Sequence, residues 1–96
     1  MDVYHQVIEF MESQGFRDFY TPIEGRPESY SQKGFKDMLC NCCVIGRPKH
    51  VYIQLNYIQL GAEETNAEYI LDNTNDMEAI NKFTNDSLFN FKLEIL

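Results

Sequence analysis

Residues 50–60, His-Val-Tyr-Ile-Gln-Leu-Asn-Tyr-Ile-Gln-Leu, constrain the fold more than any other stretch. Val51, Ile53 and Leu55 alternate with Tyr52, Gln54 and Asn56, the period of a strand whose two faces meet different surroundings. The alternation then slips, because Ile58 and Leu60 are apolar on the other parity. A one-residue slip flips every side chain, so either both faces of this strand are partly covered or a bulge sits near Asn56-Tyr57. Ahead of it stand Gly46-Arg47-Pro48-Lys49, and ahead of those Met38, Cys40, Cys42 and Val44 alternate as well. This order predicts a hairpin whose first strand covers about 37–45. A helix over about 30–43 is the alternative, since Tyr30, Phe35, Met38, Leu39, Cys42 and Cys43 approach a helical stripe. Cysteine, valine and isoleucine sit poorly in helices and well in strands, which favours the hairpin.

The flanks supply the remaining elements. Val3, Val7, Phe10 and Met11 recur at helical spacing behind Asp2, a capping residue, and ahead of Gly15, predicting a helix over 2–14. Pro22, Gly25, Pro27 and Gly34 punctuate residues 16–34, which read as a long loop with a short extended piece from Phe16 to Ile23. Residues 61–66 read as a turn, and Ala67–Asp72 as a short strand. Asn75 or Asp76 can cap a helix to about Thr84 with Met77, Ile80 and Phe83 on one face. Phe89, Phe91, Leu93 and Ile95 alternate with Leu88, Asn90, Lys92 and Glu94, predicting a final strand. The whole is one α+β domain over residues 1–96. It is a small sandwich with a mostly antiparallel sheet of three to four strands and two helices packed on one face, in the order helix, loop, three strands, helix, strand.

Charge excludes some partners and suggests another. The chain carries a formal net charge of −7 with 15 acids against 8 bases. Phosphate affinity comes from lysine and arginine, so direct nucleic-acid binding is not expected, nor docking on anionic lipid. No run reaches the ~18 apolar residues of a membrane span, and Met-Asp-Val-Tyr-His lacks the basic start of a signal peptide, so a cytoplasmic protein is expected. The charges also segregate. Residues 26–49 are net basic, whereas Glu63, Glu64, Glu68, Asp72, Asp76 and Glu78 fall in one stretch without a base. Such a stretch is either a solvated face or a surface that recognises a basic partner. Tyr69 lies within it, and tyrosine beside acid is common at interfaces.

Catalytic and cofactor motifs are missing. The five glycines are isolated, so no phosphate-binding loop can be built from them. No nucleophile-elbow or metalloprotease sequence occurs. Cys40, Cys42 and Cys43 crowd together, but on a strand Cys40 and Cys42 share a face while Cys43 points away, so the three read as core cysteines. No catalytic residue, cofactor or metal ligand is therefore assigned, and His5 with Glu9 reads as a surface pair. The expected function is a non-enzymatic protein-binding module, an inhibitor of a larger protein with a basic or nucleic-acid-binding surface. Its predicted contact residues are Glu63, Glu64, Glu68, Tyr69, Asp72, Asp76 and Glu78. Small acidic inhibitors of phages and mobile elements (anti-restriction, anti-CRISPR and immunity proteins) offer an analogy of composition only. Two alternatives stand beside it. One is a metal- or thiol-dependent protein centred on the Cys40–Cys43 cluster with His50. The other is a subunit that forms a homodimer through an edge strand, the apolar 50–60 strand being the candidate.

Overall fold

Asp2 opens the fold as a helix cap: its backbone is extended and its carboxylate accepts the His5 N–H at 2.8 Å. The computed structural model describes residues 2–35, 38–59, 65–73, 77–78 and 80–85. Helix α1 (Val3–Ser13) buries Val3, Val7 and Met11, one stripe of its surface. It ends at Gln14, and Gly15 turns the chain with φ of +100°, a conformation that side chains with a Cβ resist.

Five strands follow: β1 (Arg17–Tyr20), β2 (Glu28–Phe35), β3 (Met38–Gly46), β4 (His50–Gln59) and β5 (Thr65–Asp72). Each pairs antiparallel with its neighbour in chain order, giving one sheet in the order β1-β2-β3-β4-β5. The registers define two faces. Ser29, Ser31, Cys40, Cys42, Val44, Val51, Ile53, Leu55, Tyr69 and Leu71 share the covered face, and all but Tyr69 are buried. Helix α1 packs against it over β3. A second helical stretch, residues 77–78 and 80–85, lies on the same side. Its Phe83 is buried edge-on to Phe10 of α1 (centroids 5.4 Å apart) and to Tyr69 of β5 (5.2 Å). The core is therefore the single layer between the sheet and both helices.

The α+β class holds, and the strand count does not: the described residues alone form five strands rather than three to four. The missed strand is β2, which the sequence presents as part of a loop, and the alternative helix over 30–43 is overturned with it. Its inward positions carry Ser29 and Ser31 where a strand ordinarily shows apolar residues, so no hydrophobic alternation exists to detect. Those hydroxyls are satisfied locally. Ser29 Oγ meets Tyr4 Oη at 2.5 Å, and Ser31 Oγ donates to the Arg17 carbonyl at 2.6 Å. Lys33, the third inward position, donates to the Gln14 carbonyl at the negative end of α1. Strand β4 has no bulge, because its pairing with β3 and with β5 is continuous; Tyr57 and Ile58, on opposite faces, are both partly covered. Met77 is 75% exposed instead of sharing the buried face of Ile80 and Phe83. The predicted final strand and the Asn75 or Asp76 cap lie outside the described residues.

Candidate functional site

Both described helices lie on one side of the sheet, and among the described residues none covers its other face. Strand alternation places Glu28, Tyr30 and Gln32 of β2, Asn41, Cys43 and Ile45 of β3, Tyr52, Gln54 and Asn56 of β4, and Asn66, Glu68, Ile70 and Asp72 of β5 on this open face. Registers then sort them into transverse rows. One row runs Arg17, Gln32, Asn41, Asn56, Asn66 across all five strands. Within it Gln32 Nε2 donates to Asn41 Oδ1 at 2.7 Å and Asn56 Nδ2 to Asn66 Oδ1 at 2.6 Å. The next row runs Tyr20, Tyr30, Cys43, Gln54, Glu68, and a third joins Glu28, Ile45, Tyr52 and Ile70. Cross-strand neighbours of this kind lie about 4.5–5.5 Å apart and act as one surface.

The β5 end is acidic and apolar together. Ile70 is 58% exposed, with exposed Glu68 and Asp72 two residues to either side on the same face. Tyr52 stands opposite Ile70, and His50 opposite Asp72. Toward β2, Glu28 is met by Arg47 at 3.9 Å, a loose ion pair.

The predicted contact residues divide. Glu68 and Asp72 lie together on the open face. Tyr69 between them points the other way, to the covered face, where its ring contacts Phe83. Glu78 is exposed on the second helical stretch. Glu63, Glu64 and Asp76 lie outside the described residues. The tyrosines that do reach the open face are Tyr20, Tyr30 and Tyr52. The residues that sequence reasoning missed are the amides and this aromatic set. Their signal was the polar parity of each strand (Asn41 between two cysteines, Gln54 and Asn56 between apolar residues), but only pairing shows that they form rows.

The cysteine cluster does not converge. Cys40 and Cys42 are buried on the covered face, while Cys43 lies on the open face across from Tyr30. Burial pushes the Cys42 and Cys43 thiols up, against the reactive direction. The hydrogen bond between Cys43 and Tyr30 raises the Tyr30 phenol as well. His50 is four residues before Gln54, the partner of Cys43, and so lies roughly 13 Å along the strand from it. Among the described residues no three His, Cys, Asp or Glu side chains are grouped to hold a metal ion. His5 meets Asp2 rather than Glu9, with Nδ1 2.8 Å from the carboxylate. The 50–60 strand is interior, paired on both sides, so it is not the edge for self-assembly; among the described residues the sheet's edges are β1 and β5. No helix among the described residues is long and apolar enough to cross a membrane. No protein-family model, curated protein or solved structure matches the chain.

Proposed function

We propose that this chain is a protein-binding module that presents the β5 end of its open sheet face to a larger partner with a basic surface. One observation carries the reading: Ile70, an aliphatic side chain left 58% exposed, sits between two exposed carboxylates, with Tyr52 across the strand. An apolar anchor ringed by charge of one sign suits a partner whose basic residues surround an apolar contact. Burial of Ile70 and Tyr52 would contribute most of the affinity, while Glu68 and Asp72 would steer association and select the partner. The action is occupancy rather than catalysis, and a partner that uses its basic surface to hold nucleic acid would be inhibited by it.

The test begins with the partner that cross-links to the full chain in its native cell. Association is then measured for the wild type, for a Glu68→Lys, Asp72→Lys double variant and for Ile70→Ala. The double variant is expected to slow association by about tenfold or more at low salt and to flatten its salt dependence. Ile70→Ala is expected to speed dissociation instead, since most interface changes act there. All three positions are exposed, so folding should change by only about ±0.5 kcal/mol. Unchanged association and dissociation rates in both variants would refute the reading.

A further inference from the structure

The open face has a second, chemically different end. Over β1 to β4 it sinks into a depression of about 720 Å³. We infer that this depression is a binding site for a neutral, polyhydroxylated ligand of the sugar class, separate from the acidic β5 end.

Its aromatic side is Tyr20 beside Tyr30. Their centroids are 5.8 Å apart and the rings tilt by 32°, so they form one nearly continuous apolar patch, with Tyr20 61% exposed. The C–H face of a pyranose, slightly positive, packs on the negative face of such rings. Its polar side is amide: Gln32, Asn41, Gln54 and Asn56 line the same depression. Each amide carries two donor hydrogens and acceptor lone pairs, and the Gln32–Asn41 bond spends only one donor and one lone pair. Neighbouring hydroxyls, each both donor and acceptor, match groups of that kind better than an anion or a cation does. The charged residues that line it are one of each sign, Arg17 and Asp18, so the lining carries no net charge.

The backbone shows how Tyr20 reaches this site. Arg17 pairs with Gln32 and Tyr20 with Tyr30, three steps along β1 against two along β2. That bulge passes through Asp18 at φ of +58°, the left-handed region that, glycine apart, Asn and Asp enter most readily. Strict alternation would put Arg17 and Tyr20 on opposite faces. The bulge turns both to the open face and sends Phe19 toward the core. Bulges occur often beside functional sites, where they re-aim a side chain, as this one re-aims Tyr20 to stand beside Tyr30. Nucleobases also stack on tyrosine and bond to amides, but the phosphates of a nucleotide or nucleic acid would meet a chain of net charge −7.

The experiment titrates the full chain, followed by backbone-amide NMR, with the linear tetramers of glucose, galactose, mannose and N-acetylglucosamine, and with adenosine as the base control. At least one tetramer is expected to bind at about millimolar or tighter affinity and to shift residues of β1 to β4 around the depression. Tyr20→Ala and Gln54→Ala, both at exposed positions, should each weaken it by about tenfold. Asp72→Lys, at the far end of β5 opposite His50, should retain sugar binding while failing in partner association. Three results overturn the inference: no tetramer binding at about 10 mM, adenosine binding there more tightly than every tetramer, or tetramer affinity unmoved by both alanine variants.

Discussion

Replacing Phe83 by alanine tests the arrangement on which both surfaces depend, because this ring ties residues 80–85 to the covered face. Phe83 is 1% exposed and stands edge-on to Phe10 at 75° and to Tyr69 at 81°. Removing a buried phenylalanine side chain costs about 3–5 kcal/mol. Two edge-to-face contacts, each worth about 0.5–1.5 kcal/mol beyond area, place this one in the upper half of that range. A domain of this length has about 5–14 kcal/mol of stability, so the variant should lose more than about a quarter of it. Urea unfolding followed by circular dichroism reads the effect. A loss of about 4 kcal/mol moves the midpoint by roughly 2 M at a slope of about 2 kcal/mol/M. Phe83→Leu, which keeps most of the volume and loses both ring contacts, should cost about 1–3 kcal/mol. Met77→Ala, at an exposed position of the same stretch, should stay within about ±0.5 kcal/mol. If Phe83→Ala costs less than about 1 kcal/mol, this helix is not what covers that side of the sheet. The opposite face then has no claim to be the binding surface.

Two further outcomes are expected. Asp2→Ala should destabilise by about 1 kcal/mol near neutral pH through loss of the α1 cap. The Asp2 carboxyl is held below its ordinary value of 3.8, chiefly by the His5 backbone N–H, so its contribution is present above that pH and lost as pH falls through the lower folded value. Melting temperatures of the two proteins should therefore differ at about pH 7 and converge at about pH 2; a gap that persists in acid would show that the carboxylate charge is not the cause. Thiol labelling of the native protein should modify Cys43 first and Cys40 and Cys42 only with unfolding, since Cys43 is half-buried on the open face and the other two are buried on the covered one. Rapid labelling of all three would contradict the β3 register.

Local signals in the chain were enough to determine the elements that carry them. Asp2 and Gly15 bracket α1 because capping and left-handed turning are properties of single residues, readable without neighbours. The 37–45 and 50–60 hairpin was legible from alternation and its Gly-x-Pro turn, and it appears as Met38–Gly46 with His50–Gln59. The acids of the third quarter of the chain were legible too, but not their orientation. Only tertiary structure decided that Tyr69 packs on Phe83 while Glu68, Ile70 and Asp72 turn outward, because parity has meaning only once a helix chooses a face. Strand β2 was hidden for a related reason: Ser29 and Ser31 are acceptable inside because groups distant in sequence satisfy them, Tyr4 (with Thr21) for Ser29 and the Arg17 carbonyl for Ser31. The amide rows and the Tyr20–Tyr30 pair belong wholly to the assembled sheet. They depend on strand register and on one left-handed residue, Asp18, and cross-strand adjacency is set by pairing between distant segments, which no local pattern of residues encodes.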